Sequence, residues 1–299
     1  MPAGPRPAQP TEPTIGAVEV RDRSDAAAER ARYLAALRRV SPRQCALDLA
    51  VRAAVTAGFT LLGWRVRASG RGSLPRDADG RIRPCVLAAA PHRGWPDPFL
   101  VLLAWPRDAP RLAWFGDEVT MTRSWWRRRL LPHLGMIPIP TTPSAAAVAA
   151  HLDAARVVLG HGCAVVVFVE KGPPSPRGRT RTIAPGAAWL ALAGGVPLVP
   201  VAIGGFLETG LGTRFRVRVL GPIRPGADAE STHPAGTVTD AADVPGTGPR
   251  SDRARLAHDG RVLTAALRAA LAEPVAELEA ASLRENGRRP MPGLRRLFR

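Results

Sequence analysis

Apolar residues in this chain fall into short unbroken runs separated by polar, proline-rich or glycine-rich joints. Strands four to seven residues long are expected at 85–90, 111–115, 136–139, 163–169 and 197–203. Two other stretches alternate. Trp64-Arg65-Val66-Arg67-Ala68 reads as a half-exposed strand, and Arg214-Phe215-Arg216-Val217-Arg218-Val219-Leu220 is so regular that it is expected at the sheet edge with one wet face. Helices are predicted near 97–105, 122–131, 143–160 and 184–194. This alternation predicts an α/β fold, with a mostly parallel central sheet flanked by helices.

The flanks read differently. Residues 1–24 are rich in proline and are expected to form a disordered arm. Ser24-Asp25 is expected to cap a helix through about Arg39, with Pro42 restarting an amphipathic helix to about Leu62, so an N-terminal amphipathic helical segment and candidate membrane contact is expected over 25–63. Residues 64–222 make up the main domain. A loop without apolar periodicity is expected at 223–250, then a helix over about 251–272 and a basic tail within 251–299.

Composition narrows the class. The chain has 299 residues, 45% of them hydrophobic, enough for one sizeable core. Its formal net charge of +17 suggests an anionic partner, a membrane surface or a nucleic acid. All basic residues except Lys171 are arginine, which points to a compositional bias, and a nucleic-acid role rests on charge alone. Cys45, Cys85 and Cys163 are scattered, with neither metal-ligand spacing nor a disulfide framework. No secretory signal and no spanning segment is legible; the best candidate, 45–64, is broken by Asp48 and Arg52.

The chemistry concentrates in Pro91-His92-Arg93-Gly94-Trp95-Pro96-Asp97-Pro98-Phe99, directly after the run 85–90. A histidine serves as a general base near neutral pH, and a carboxylate on its second ring nitrogen would fix the tautomer. Five positions apart on a helix, the two would point about 140° away from each other at about 3.6 residues per turn, so a bend is required, and Gly94 and Pro96 supply one. A plainer reading stands beside this. Asp97 before Pro98 also fits an N-cap, with His92 an ordinary loop residue.

Further motifs follow in order: Gly135-Met136-Ile137-Pro138-Ile139-Pro140; Phe168-Val169-Glu170-Lys171-Gly172; and Val196-Pro197-Leu198-Val199-Pro200-Val201. With the His-x4-Asp pair, this set over roughly 60–222 resembles the glycerolphosphate and lysophosphatidate acyltransferase family. The resemblance implies that His92 is the general base, that Asp97 orients it, and that Glu170 helps hold the acceptor. It also implies acyl-CoA or acyl carrier protein as donor substrate and no metal or other cofactor.

Two arginines of the family pattern, one after the glycine-apolar segment and one after Phe-Pro-Glu-Gly, have no counterpart here. Either Lys171 and Gly172 with Arg177, Arg179 and Arg181 rebuild the acceptor's phosphate site, or the acceptor carries no phosphomonoester there. The implied function is transfer of a fatty acyl group from a thioester to a hydroxyl of a lysophospholipid, such as 1-acylglycerol-3-phosphate, or a related lipid alcohol. The alternative is a catalytically drifted lipid- or membrane-binding protein of the same fold. Trp125-Trp126-Arg127-Arg128-Arg129 interleaves interfacial aromatics with cations, so a peripheral position on the cytoplasmic face of an anionic membrane is expected. The same segment also fits a helix with tryptophans in the core and arginines in water.

Overall fold

A computed structural model describes residues 42–94, 96–117, 124–125, 127, 131–139, 145–170, 182–205, 210–224 and 249–286. Helix α1 (Pro42–Leu61) leads into β1 (Arg65–Ser69); then follow β2 (Val86–Ala90), α2 (Asp97–Ala104), β3 (Leu112–Asp117) and β4 (Met136–Ile139). The chain continues through α3 (Ala145–Gly160), β5 (Ala164–Phe168), α4 (Gly186–Gly194), β6 (Leu198–Gly204), β7 (Arg214–Val219) and α5 (Pro249–Asn286). Seven strands form one sheet in the order β1-β7-β6-β2-β5-β3-β4. All neighbouring pairs are parallel except β6 with β7, so the predicted class is observed.

Burial follows the sequence pattern. Every residue of β2 and β6 is buried, because helices cover both faces of the sheet centre. Val86, Ala88 and Ala90 pack with α3, α4 and α5, while Leu87 and Ala89 face α2 and the aromatic group Phe59, Trp64 and Phe215. The small side chains of β2 and α4 let these layers approach closely. Helix α5 comes close at Gly204, where a Cβ would lie 2.7 Å from the Cβ of Leu278.

Two expectations are corrected. Strand β7 is not an edge strand: it lies between β1 and β6, and β1 takes the edge. Its alternation arises instead from one face in the aromatic core and another facing α5, where Arg216 pairs with Glu285 and Arg218 with Glu277 at 2.8 Å. Nor does the last helix end near 272. It runs through Pro274 to Asn286, because Leu271, Val275 and Leu278 are buried in the core and that burial offsets the backbone hydrogen bond proline removes.

The crossovers place the site. Neighbouring strands β2 and β5 run parallel, yet the helix after β2 packs on one face of the sheet and the helix after β5 on the other. In open α/β sheets, such divergence marks the carboxyl ends of the two strands as the place where ligands characteristically bind.

Candidate active site

His92 leaves the carboxyl end of β2, and Glu170 leaves that of β5. The parallel register sets Ala89 beside Phe168, and the Val169 N–H donates to Ala89 O at 3.1 Å. This pairing brings residues 78 positions apart into contact: the backbone N–H of His92 donates to Glu170 Oε2 at 3.3 Å. The His92 ring stacks on Phe168, with centroids 4.4 Å apart and planes 22° apart.

Between β2 and α2 the chain turns sharply, the Asp97 N–H donating to Gly94 O at 3.3 Å. Asp97 is fully buried. Its Oδ2 lies 2.7 Å from His92 Nδ1 and accepts from the backbone N–H groups of Arg93 at 2.5 Å and Gly94 at 3.0 Å. An oxygen already accepting two N–H bonds acts as acceptor toward the ring too, so Nδ1 carries the hydrogen and Nε2 keeps its lone pair. The imidazole remains 47% exposed, hence accessible to a substrate hydroxyl.

The capping explanation for Asp97 fails. Asp97 is the first residue of α2, Pro96 holds the N-cap position, and no side chain caps the helix there. The carboxylate points back at the loop it organises. Its other oxygen, Oδ1, is buried without a hydrogen-bond partner among the described residues.

Glu170 forms an isolated antiparallel bridge with Ile183, and the Ala184 N–H donates to Val169 O at 2.8 Å. The described residues on either side of 171–181 therefore meet at Glu170. Lys171, Gly172, Arg177, Arg179 and Arg181 lie outside the described residues, as do Trp126, Arg128 and Arg129. Trp125 is described and exposed.

Phe168 was not among the residues singled out from the sequence. Its signal, an aromatic ending the apolar run before Glu170, gains meaning only once β5 is known to lie beside β2. Cys85 and Cys163 are buried, and burial pushes the Cys85 thiol up to about 12, so it stays protonated near neutral pH and is a poor nucleophile. Among the described residues, no three His, Cys, Asp or Glu side chains gather as a metal site.

Residues 65–204 match the family model described as Acyltransferase. No curated protein matches the chain significantly. Among solved structures, it is similar to the 1-acyl-sn-glycerophosphate (LPA) acyltransferase PlsC from Thermotoga maritima, with 15% identity over 82% of this chain and 87% of that one and a TM-score of 0.48.

Proposed function

We propose that this member of the acyltransferase family moves a fatty acyl group from a thioester, on CoA or acyl carrier protein, to the hydroxyl of a lysophospholipid or related lipid alcohol. The observation that carries the reading is the His92–Asp97 pair, a half-exposed imidazole held through Nδ1 by a fully buried carboxylate at the carboxyl edge of the sheet. His92 Nε2 takes the proton from the acceptor hydroxyl as that oxygen attacks the thioester carbonyl. The C–S bond then breaks, and the thiolate leaves with a proton returned from the imidazolium. Asp97 keeps the ring oriented and stabilises its protonated form.

Glu170 stands beside this histidine and directly precedes Lys171 in sequence, which makes Lys171, Arg177, Arg179 and Arg181 candidates for an acceptor's phosphate. A peripheral position on the cytoplasmic face of an anionic membrane belongs to the same proposal. Between 46 and 61 the exposed residues of α1 carry no charge, and Leu49, Leu61 and Trp125 are exposed apolar side chains. The Thr56 and Thr60 hydroxyls donate to Arg52 O and Thr56 O at 2.7 and 2.8 Å, so even these exposed groups are satisfied within the helix. No described helix is long and apolar enough to cross a membrane.

The test is thioester consumption with and without added 1-acylglycerol-3-phosphate or a neutral lipid alcohol. His92→Ala should lower acyl transfer by about 10²–10⁴-fold without unfolding the protein. Transfer at the wild-type rate by a folded His92→Ala protein would overturn the reading. A wild-type protein that binds lipid yet never consumes thioester would favour the non-catalytic alternative.

A further inference from the structure

The chain leaving β5 reaches the backbone of His92 as well as its ring. The parallel ladder of β2 and β5 pairs Ala89 with Phe168, and the Val169 N–H donates to Ala89 O at 3.1 Å. Pro91, directly after β2, carries no N–H, so His92 supplies the first donor beyond the strand. A side chain meets that donor: Glu170 Oε2 accepts it at 3.3 Å. Phe168 and Glu170 stand two apart in extended chain, a spacing that returns side chains to the same side, and they touch one residue at two points, ring and backbone.

Two carboxylates thereby organise the loop. The N–H groups of Arg93 and Gly94 donate to Asp97 Oδ2 and that of His92 to Glu170 Oε2, so three successive backbone donors are committed to carboxylate oxygens. Asp97 holds the ring of His92, and Glu170 holds its backbone. A shift of that backbone would carry Nδ1 away from Asp97 Oδ2, and a hydrogen bond of 2.7 Å tolerates little displacement. Glu170 is itself fixed by its bridge to Ile183 and by the Ala184 N–H donating to Val169 O at 2.8 Å.

We infer that Glu170 is a positioning residue for His92 and not a ligand of the acceptor, the role that the family resemblance implies for it. Its carboxylate fixes the backbone from which the base projects, so that Nδ1 meets Asp97 and Nε2 is left for the acceptor hydroxyl. As a ligand, the same carboxylate would repel an acceptor that carries a phosphate. What the role requires is reach to the His92 N–H. The amide oxygen of a glutamine has that reach, whereas an aspartate carboxylate falls one methylene short. The kinetic consequence rests on the acyl-transfer reading; the orientation of the imidazole does not.

Glu170→Gln, Glu170→Asp and Glu170→Ala in the full chain, checked for folding by circular dichroism, test it. With a thioester donor and 1-acylglycerol-3-phosphate, Glu170→Asp and Glu170→Ala should lower kcat about tenfold or more, as expected for loss of a hydrogen bond to a charged group, with the acceptor KM unchanged within about twofold. Glu170→Gln should keep kcat within about threefold of wild type. Long-range proton–nitrogen NMR correlation reads the His92 tautomer without turnover, the ring being assigned by its absence in His92→Ala. The Nδ1–H form should dominate in wild type and Glu170→Gln and give way to mixed tautomers in Glu170→Asp and Glu170→Ala. Where Glu170→Ala fails to fold, the contrast between Gln and Asp decides. A raised acceptor KM with kcat retained, wild-type kcat in Glu170→Asp, Glu170→Gln as impaired as Glu170→Asp, or a His92 tautomer indifferent to all three substitutions would each overturn the proposal. A wild-type protein that consumes no thioester would instead overturn the acyl-transfer reading, and the NMR comparison would still decide the role of Glu170.

Discussion

The His92 ring lies nearly parallel to Phe168, 4.4 Å between centroids, although the two residues stand at the ends of different strands. The stack fixes the plane of the imidazole, and the Asp97 carboxylate fixes its rotation within that plane. Two separate parts of the chain thus constrain one side chain. A base held in this way spends little entropy on reaching its reactive orientation.

Phe168→Ala should therefore reduce turnover more than it reduces stability. A stacked aromatic pair contributes about 0.5–1.5 kcal/mol, which corresponds to about twofold to tenfold in kcat if all of it serves orientation. Phe168→Tyr keeps the ring and should restore turnover. Steady-state kinetics beside thermal melts checks this; a loss of Tm with unchanged kcat would make Phe168 a packing residue only.

Asp97→Asn should damage both activity and the loop. The amide keeps one acceptor oxygen, but its charge no longer supports the three N–H groups around Oδ2, and charge-assisted bonds contribute about 1.5–3 kcal/mol each. Turnover should fall at least about 10²-fold, toward the level of His92→Ala. In the double variant the losses should be far less than multiplicative, since both residues act as one unit. Multiplicative losses would show that they act independently.

Gly204→Ala tests how closely α5 sits on the sheet. The added Cβ would meet Leu278 Cβ at 2.7 Å and its carbonyl carbon at 2.8 Å, so helix or strand must shift. Overpacking of this kind costs about 1–3 kcal/mol. The expected outcome is a Tm lower by several degrees, measured by calorimetry. An unchanged Tm would mean that α5 moves freely on the sheet.

Asp48 gives a pH-dependent prediction. Burial raises its pKa above the ordinary 3.8, and the opposing pulls of Arg111 and Arg52 are smaller. A carboxyl with a raised folded-state pKa contributes stability that is present below its unfolded pKa and lost as pH rises through the folded value. Asp48→Asn mimics the protonated form, so it should be more stable than wild type at pH 7 and equal to it near pH 3. The gain is small because the side chain is 35% exposed. Denaturant melts at the two pH values decide it, and a destabilised variant at pH 7 would show that the pair with Arg111 outweighs desolvation.

The strands and the His-x4-Asp pair were legible in the sequence because their signals are local. A run such as Ala164–Phe168 can be buried on both faces only within a covered sheet, and Gly94 and Pro96 bend the chain between His92 and Asp97 whatever surrounds them. What lay beyond the sequence was non-local. The alternation in β7 is the same whether its wet-looking face meets water or α5, so only strand order reveals that the strand is interior. Pro274 is a stop by local propensity, and burial of Leu271, Val275 and Leu278 against the sheet overrides it. Phe168 and Glu170 meet His92 only because β5 pairs in parallel with β2, and Arg111 meets Asp48 only because α1 packs beside the start of β3. Side-chain periodicity fixes which face of an element is apolar. Which partner covers that face is chosen by the packing of the whole chain, and the tertiary structure alone records that choice.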